Sequence, residues 1–473
     1  MDQENLRNRL LDQLIGIPKL LNYPPIKALD NDYPRPFIVD VTREELQQLR
    51  DRILSADEQK LQIIDIDPNL LAERIANRIQ FQLKPSVAPA INAAGIILHT
   101  ALGRAPLCQQ AQDAIAAVIK NYCTLAIDRN TGKRGDRYEH VEELLCYLTG
   151  AEAALVVNNN AGATMLVLNT LAFGKEVIIS RGQLIEIGGS FRIPDVMKRS
   201  GSIMVEVGTT NKTHLWDYES AINEQTGLLL RVHTSNYQIV GFTTDVSIKK
   251  LVELAAKRDI PVVDDIGSGN LIDFQKYELP PEPMVQDSIK AGADVVTFSG
   301  DKILGGPQSG IIIGKKKYID PIKKNPLARA LRCDKLTYAA LEATLKLYLD
   351  EENLQEKHPV LKLLTLPVTR LANRARTFRR HVKDVPEGNC EIKVENGYSQ
   401  LGSGSLPAQY IPTKVISLKP QHISAEVLAG KLRENEPPIF TRIADDAVLL
   451  DLRTIREDET KVVEKAIKEI FAA

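Results

Sequence analysis

The chain has 473 residues, of which 44% are hydrophobic and 26% are charged, as in an ordinary globular protein. Its 60 lysines and arginines are balanced by 61 aspartates and glutamates, which excludes nucleic-acid binding through overall charge and leaves only local basic patches for such a contact. A chain of this length is too long for one ordinary core. We expect a helical domain at 1–85, a large α/β domain at 86–330 and a smaller α+β domain at 331–473.

The first 85 residues have the pattern of a small helical domain. Thr42 and Glu45 have the spacing of a capping box in VTREELQQLRDRIL, and PNLLAERIANRIQFQL has the apolar spacing of an amphipathic helix. The proline-rich stretch NYPPIKALDNDYPRPF predicts an extended connector. Two interpretations of this domain stay open, a packing or oligomerisation arm and a macromolecule-binding module.

Between about 90 and 330, short apolar segments alternate with helical ones. This pattern predicts a mostly parallel sheet covered on both faces, with ligands at the carboxyl ends of its strands. The predicted strands are 153–157, 176–180, 202–207, 227–233, 261–265, 294–299 and 310–314. Beyond 331, strands and helices on a smaller scale indicate an α+β domain.

Cysteines, histidines and apolar runs restrict the class of protein further. The five cysteines are scattered and form no C-x-x-C pair, and the seven histidines have no metal-ligand spacing. We therefore expect free thiols in a reducing compartment and no metal site. The charged N-terminus lacks a signal core, and no apolar run approaches the roughly 20 residues that cross a bilayer. These features predict a cytoplasmic protein.

Lys302 follows the predicted strand 294–299 and is surrounded by small residues in SGDKILGGPQSG. Glycines allow a backbone to approach a ligand closely. A lysine that is partly desolvated beside another cation loses its proton more readily and becomes a nucleophile. A solvated surface charge is the alternative for this lysine taken alone, but the companion segments favour a Schiff-base lysine that carries pyridoxal phosphate.

Such a cofactor needs a carboxylate that keeps its pyridine nitrogen protonated. The segment PVVDDIGSGN supplies Asp264 at the end of an apolar strand, and Asp265 beside it is the alternative. We expect Asp264, because it continues the strand and should lie at its tip. For either residue, capping a helix is the purely structural role.

The cofactor phosphate needs a cradle at a helix N-terminus. The segment VVNNNAGATMLVLNTL has the required order of strand, polar turn and helix. We expect the backbone N–H groups of Asn160, Ala161, Gly162 and Ala163 to hold the phosphate, with the Ser299 hydroxyl as a further donor.

Six residues in four other segments are candidates for binding the substrate. They are Arg104, Thr209, Thr210, Tyr237, Arg329 and Arg332. Arg329 and Arg332 are three residues apart, so we expect them on one helix face. Paired guanidinium groups suit phosphate-like anions, and a solvated helix face is the alternative for this pair.

With these segments assembled, the chain resembles the bacterial selenocysteine synthases, the L-seryl-tRNA(Sec) selenium transferases, from about Asn92 to the C-terminus. The resemblance is densest in SGDKILGGPQSGIIIG, EIGGSFRIPDVM, EVGTTNKT and LARALRCDK. It implies the fold of the fold-type-I pyridoxal-phosphate transferases, with a mostly parallel sheet in the large domain. It also implies that the N-terminal domain binds tRNA.

The resemblance implies roles for individual residues as well. Lys302 becomes the Schiff-base lysine with Asp301 beside it, and Arg104, Arg329 and Arg332 become the site of the selenium-donor anion. Thr209, Thr210 and Tyr237 are placed around the cofactor and the substrate. The chain departs from the usual family pattern at Ala101, Gly162 and Gln183, where asparagine, alanine and glutamate are usual.

The implied reaction is the β-elimination of water from seryl-tRNA(Sec) to aminoacrylyl-tRNA, followed by addition of selenium from selenophosphate. The implied assembly is a homodecamer with active sites at dimer interfaces. The alternative is a related lyase that acts on a small amino acid or an amino sugar acid, with Arg442 or Arg453 as a clamp for the free carboxylate. A catalytically silent tRNA-binding protein is a third possibility, which the intact lysine motif disfavours.

Overall fold

A computed structural model of the protein describes residues 3–188, 191–386, 388–402 and 410–472. Contacts between Cα atoms divide the chain into two compact units, 1–89 and 90–473. The second unit takes in both the large and the small domain that the sequence predicts. Within the described ranges, no helix combines the length and the apolar character needed to span a bilayer.

The unit 1–89 is built from helices. They are α1 Gln3–Asp12, α2 Ile17–Leu20, α3 Pro24–Lys27, α4 Arg35–Ser55, α5 Glu58–Gln62 and α6 Pro68–Leu83, with a 3-10 turn at Ala28–Asn31. The predicted amphipathic helix is α6, whose buried face includes Ile75 and Ile79.

Two expectations for this unit are wrong. Thr42 lies inside α4 and its hydroxyl donates to the Ile38 carbonyl at 2.7 Å, so it does not cap a helix. The proline-rich stretch forms α3 and the start of α4 instead of an extended connector. The prolines permit this because Pro24 and Pro36 occupy first-turn positions, where a helix needs no N–H donor.

The unit 90–473 begins with the elements of the larger sheet. In chain order they are β1 Ile91–Asn92, α7 Gln109–Ile119, α8 Glu139–Thr149, β2 Ala153–Val157, α9 Asn160–Ala172, β3 Glu176–Ser180, β4 Glu186–Ile187, β5 Phe191–Arg192, α10 Ile193–Ser200, β6 Ile203–Val207, α11 Leu215–Ala221, β7 Thr226–Val232, α12 Ile248–Ala256, β8 Val262–Gly267, α13 Val285–Lys290, β9 Val295–Ser299 and β10 Gly310–Gly314. Short 3-10 turns lie at Thr100–Leu102, Arg181–Gln183 and Phe274–Tyr277.

Helices and a second sheet follow. They are α14 Lys316–Lys324, α15 Pro326–Ala330, α16 Lys335–Leu347, α17 Glu351–Lys357, α18 Pro359–Leu364, α19 Val368–His381, β11 Cys390–Ser399, β12 Ile411–Pro420, α20 Ala425–Glu434, β13 Ile439–Phe440, β14 Arg442–Ala444, β15 Ala447–Asp451 and α21 Thr460–Ala472.

Seven strands form the larger sheet in the order β2-β10-β9-β8-β7-β3-β6. Among these described strands only β10 runs antiparallel to its neighbours, and the remaining pairs are parallel, which confirms the predicted mostly parallel sheet. Every residue of β2, β9 and β10 is buried, as expected of strands covered on both faces.

The two faces of this sheet have separate cores. Val263 of β8 and Leu230 of β7 pack on the side of α9, whereas Val262 and Leu229 pack on the side of α12. Successive side chains of a strand point to opposite faces. Asp265 therefore lies on the same side as Val263, and Asp264 lies on the same side as Val262.

The second sheet is antiparallel, in the order β11-β12-β15-β14. The short strand β1 pairs in parallel with β13, from Ile91 opposite Ile439 to Asn92 opposite Phe440. The residues at the start of the predicted large domain therefore pair with the C-terminal part of the chain.

Candidate active site

Lys302 lies three residues beyond the end of β9, and its side chain faces a cavity of about 220 Å³. The residue is buried, with only 4% of its surface exposed. The cavity is at the carboxyl ends of β7, β8 and β9, where ligands of parallel sheets bind. Its walls include Arg104, Asn159, Asn160, Ala161, Phe191, Val232, His233, Asp265, Gly267, Ser299 and Gln308.

The carboxylate in this cavity belongs to Asp265, which corrects the expectation of Asp264. Asp265 accepts hydrogen bonds from Asn160 Nδ2 at 2.8 Å and Thr164 Oγ1 at 2.9 Å. Asp264 is fully buried on the opposite face of β8, where Arg231 Nη1 lies 3.1 Å from its Oδ1 and the Ser288 hydroxyl donates to Oδ2. Both aspartates lie within β8, two to three residues before its end at Gly267, and the alternation of the strand turns only the second toward Lys302.

Two of the four predicted phosphate donors line the cavity. Asn160 and Ala161 open α9 at its wall. The N–H of Gly162 donates to the Asn159 side chain at 2.7 Å, and the N–H of Ala163 donates to the Asn159 carbonyl at 3.0 Å, so both are used inside the helix. The first N–H groups of a helix lack partners in the helix itself and attract anions.

The proposed phosphate site at the start of α9 depends on a close approach between β10 and the turn that joins β2 to α9. A Cβ atom at Gly310 would lie 2.1 Å from the Asn159 carbonyl oxygen, so that only glycine fits beside the turn. Ser299, which pairs with Gly310, lines the cavity as predicted. The hydroxyl and the free end of α9 therefore face the same space as Lys302.

An ion pair lies next to the lysine. Arg104 adopts a left-handed backbone with φ of 63°, and its Nη1 donates to Asp301 Oδ2 at 2.8 Å. Burial lowers the pKa of Lys302, and the Arg104 charge lowers it further, while Asp265 and Asp301 act in the opposite direction. The amine consequently loses its proton more easily than that of a free lysine, as a nucleophile requires.

Charge changes at this ion pair should move the titration of Lys302 in opposite directions. Arg104→Met removes a positive charge and should raise the pKa of Lys302, because the ammonium form is then less disfavoured. Asp301→Asn should lower it. The pH dependence of the rate at which cofactor-free protein takes up pyridoxal phosphate would measure both shifts, the first toward higher pH and the second toward lower pH. Shifts of the same sign would contradict this arrangement.

His233 and Gln308 are cavity residues that the sequence analysis did not identify. His233 follows β7, and its N–H donates to the Asp265 carbonyl at 2.9 Å. Burial and the charge of Arg231 lower the pKa of His233 to about 4, so its imidazole is neutral at neutral pH. Its position as the last residue of the predicted strand 227–233 could have identified it, because strand ends meet at this edge of the sheet.

Thr209, Thr210 and Tyr237, which the sequence predicts near the substrate, do not line the Lys302 cavity. Thr210 lines a neighbouring cavity of about 210 Å³ that shares the wall residues Val232 and His233. Thr209 is exposed and its hydroxyl donates to the Lys212 carbonyl at 2.9 Å. The Tyr237 hydroxyl donates to the carbonyl of Gly182, another residue of the neighbouring cavity.

Arg329 and Arg332 line a third cavity, of about 200 Å³, together with Arg134 and Arg137. Only Arg329 is helical, because α15 ends at Ala330, so the expected common helix face is wrong. The charges of Arg137 and Arg329, which line the same cavity, lower the pKa of Arg332. Arg134 and Arg137 are further members of the basic cluster that the sequence analysis did not identify.

The segment that carries Arg332 in this third cavity is hydrogen-bonded to the residues that precede α9. The Asn158 N–H donates to the Leu331 carbonyl at 2.8 Å, and Val157 forms an antiparallel bridge with Arg332. The residues that connect β2 to α9 therefore contact both the Lys302 cavity and the segment that carries the arginines.

Neither candidate carboxylate clamp faces Lys302. Arg453 is 1% exposed, and its guanidinium donates to the carbonyls of Leu363 and Pro412 at 2.6 and 2.7 Å. Arg442 donates to the Tyr398 carbonyl at 2.8 Å and does not line the lysine cavity. Arg104, already paired with Asp301, is the arginine that this cavity offers among the described residues.

The chain is similar to proteins of known activity over nearly its full length. The family model of L-seryl-tRNA selenium transferase matches residues 90–456. The L-seryl-tRNA(Sec) selenium transferase of Alkaliphilus metalliredigens is 50% identical over 464 residues, which cover 98% of this chain and 99% of that protein. The enzyme of the same name from Carboxydothermus hydrogenoformans is 49% identical over 453 residues, or 95% of this chain and 96% of that protein.

One solved structure shows the same fold at lower identity. D-glucosaminate-6-phosphate ammonia-lyase superposes with a TM-score of 0.57 at 22% identity, over 83% of this chain and 98% of that one. This likeness concerns the fold alone. The family match and the near-complete relatives lead to one conclusion: the chain belongs to the L-seryl-tRNA selenium transferase family.

Proposed function

We propose that the protein converts seryl-tRNA(Sec) to selenocysteinyl-tRNA(Sec), with pyridoxal phosphate as cofactor and selenophosphate as selenium donor. The observation that carries the proposal is the 50% identity to a seryl-tRNA(Sec) selenium transferase across 98% of the chain. The proposed site at Lys302 agrees with this chemistry.

The cavity residues fit pyridoxal phosphate in three respects. Lys302 offers a buried amine with a lowered pKa. Asp265 offers a carboxylate that Asn160 and Thr164 hold in place, and the N-terminus of α9 offers N–H groups for a phosphate. Bound pyridoxal phosphate acts as an electron sink that stabilises negative charge at the α-carbon of an amino acid.

We assign two tasks to Lys302 and one to Asp265. The Lys302 amine would hold the cofactor and would also remove the proton from the serine α-carbon as a general base. Its lowered pKa favours the unprotonated form that this transfer needs. The Asp265 carboxylate would keep the pyridine nitrogen of the cofactor protonated. The proposed reaction removes the serine hydroxyl as water and leaves an aminoacrylyl group on the tRNA.

Within the described part of the chain, the Lys302 cavity offers no arginine free to bind a carboxylate, which favours an esterified substrate. A free amino acid presents a charged carboxylate, which a guanidinium usually binds bidentately. Arg453 and Arg442 are engaged with carbonyl groups elsewhere, and Arg104, which is paired with Asp301, is the arginine that we assign to the selenium donor. In seryl-tRNA the same carboxyl is an uncharged ester, which needs no such partner.

We propose the basic cluster of Arg134, Arg137, Arg329 and Arg332, together with Arg104, as the binding site for selenophosphate. Several guanidinium groups close together create the positive potential that attracts a multiply charged anion. In the homodecamer that we propose from the family resemblance, with active sites at dimer interfaces, neighbouring copies complete this site. Thr209, Thr210 and Tyr237 would then face the substrate from the neighbouring cavity.

Arg329→Ala should raise the KM for selenophosphate by about tenfold or more, because a hydrogen bond to a charged group is lost. The visible absorption of the bound cofactor should stay unchanged, since Arg329 does not line the Lys302 cavity. Arg370→Ala is a matched control, because Arg370 is an exposed arginine paired with Glu457. Wild-type use of the donor by Arg329→Ala would refute the anion site.

We further propose that the unit 1–89 binds the tRNA. Its acidic residues slightly outnumber its basic ones, so binding has to rest on shape and backbone contacts instead of overall charge. A chain truncated before Ala90 should lose use of seryl-tRNA(Sec) while keeping its cofactor absorption.

One experiment tests the proposed function directly. Purified protein with pyridoxal phosphate is incubated with seryl-tRNA(Sec) and selenophosphate, and the charged tRNA is hydrolysed and analysed for selenocysteine. Parallel reactions contain free L-serine or an amino sugar acid. Selenocysteine on the tRNA supports the proposal, whereas elimination from the free compounds alone would support the ammonia-lyase alternative.

A further inference from the structure

The carbonyl of Leu304, two residues after Lys302, accepts hydrogen bonds from two side chains of the following helical region. The Tyr348 hydroxyl donates to it at 2.9 Å, and His358 Nε2 lies 3.0 Å from the same oxygen. The hydroxyl and Nε2 are themselves 3.1 Å apart. Two donors thus converge on the turn that carries the cofactor lysine.

The tautomer of His358 follows from its other ring nitrogen. The Leu361 N–H donates to His358 Nδ1 at 3.1 Å, so Nδ1 is an acceptor and the proton lies on Nε2. His358 is fully buried, and burial lowers its pKa to about 4. The ring is therefore a neutral donor toward Leu304 at neutral pH, and at the same time the cap of α18.

The turn has little room to move away from this ring. Gly305 has φ of 72° and its N–H donates to the Lys302 carbonyl at 3.0 Å. A Cβ atom on Gly305 would lie 2.5 Å from His358 Nε2, so the imidazole packs directly on the glycine backbone. On the other side, the Ile303 N–H donates to the Ser268 carbonyl at 3.2 Å.

We propose that His358 and Tyr348 are positioning residues for Lys302, which hold the Leu304 carbonyl and thereby set the direction of the lysine side chain into the cavity. Neither residue lines that cavity. They act through the backbone of residues 302–305, and a turn anchored on both sides keeps the amine in one place while its bond to the cofactor forms and breaks. The proposal rests on the proposed role of Lys302.

The two functions of His358 can be separated with two substitutions. In His358→Asn, the amide oxygen replaces Nδ1 and keeps the cap of α18, while the donor to Leu304 is lost. In His358→Gln, the amide nitrogen replaces Nε2 and keeps that donor, while the cap is lost. Tyr348→Phe removes the second donor and leaves the ring in place. Ser424→Ala, which removes the cap of α20, controls for a loss of stability alone.

Three measurements on the full-length holoenzyme report on the position and the protonation of Lys302. They are the pH titration of the visible cofactor absorption, kcat and KM for seryl-tRNA(Sec), and hydrogen exchange at the Gly305 amide. His358→Asn and Tyr348→Phe should move the titration midpoint, speed up exchange and lower kcat on the order of tenfold at unchanged KM. His358→Gln should keep the wild-type midpoint and kcat despite a lower Tm, and Ser424→Ala should change Tm alone.

Two results would overturn the proposal. One is a wild-type titration midpoint and kcat in both His358→Asn and Tyr348→Phe. The other is a shift in His358→Gln as large as that in His358→Asn, since the cap and not the donor would then be responsible. Should His358→Asn fail to fold, Tyr348→Phe alone decides, because it removes a single oxygen. A wild-type protein that shows no visible absorption with pyridoxal phosphate would instead refute the proposed function.

Discussion

Lys302→Ala is expected to abolish the visible absorption of bound pyridoxal phosphate and to lower the formation of selenocysteinyl-tRNA by about a thousandfold or more, because both the covalent attachment and the general base are lost. Lys302 is buried at the end of β9, and its amine faces Asp265 and the N-terminus of α9 across one cavity. This position is the one that the proposed reaction requires of the cofactor lysine.

The measurement combines absorption spectra with trapping of the cofactor by borohydride and identification of the modified peptide. Lys346→Ala is a suitable control, because Lys346 is an exposed lysine paired with Glu342. The control should behave like the wild type in both assays. Visible absorption that persists in Lys302→Ala would refute the assignment of the cofactor lysine.

Asp265→Asn should disable the cofactor, whereas Asp264→Asn should destabilise the fold. The neutral amide introduced by Asp265→Asn cannot keep the pyridine nitrogen protonated, and turnover should fall by about a hundredfold or more, as for the loss of a preorganised electrostatic partner. In Asp264→Asn, the guanidinium of Arg231 loses its buried counter-charge. Breaking such a pair costs about 3–5 kcal/mol of unfolding free energy.

Thermal unfolding and turnover per folded molecule distinguish the two variants. Asp265→Asn should unfold near the wild-type temperature and show little turnover. Asp264→Asn should unfold at a clearly lower temperature and keep turnover within a few-fold at a temperature where it is folded. The reverse pattern would restore Asp264 as the partner of the cofactor and contradict the register of β8.

The sequence by itself predicts most of the sheet. The strands 153–157, 176–180 and 310–314 have the predicted bounds, and the other four differ by one or two residues at their ends. Their nearly unbroken apolar character results from burial on both faces, a local property that a single sequence displays. The sequence also predicts Lys302 as the cofactor lysine, but only together with its companion segments, since a lysine after a strand can equally be a solvated surface charge.

Two predictions from short residue spacings, the capping box and the shared helix face of two arginines, were wrong. Thr42 and Glu45 have capping-box spacing, but α4 begins seven residues earlier and packs its threonine inside. Arg329 and Arg332 have helical spacing, but α15 ends between them and Arg332 pairs with Val157. For Thr42 the longer helix overrides the spacing rule, and for Arg332 a contact with a distant residue does so.

The choice between Asp264 and Asp265 was made by tertiary structure alone. Both carboxylates are adjacent on the same strand, and the sequence does not tell which face of the sheet is turned toward Lys302. The pairing of β8 with β7 and β9 sets that face, because adjacent residues of a strand point in opposite directions. For the same reason His358 and Tyr348 could not be linked to Lys302 from the sequence, since some 50 residues separate them along the chain and only the folded turn at Leu304 brings them into contact.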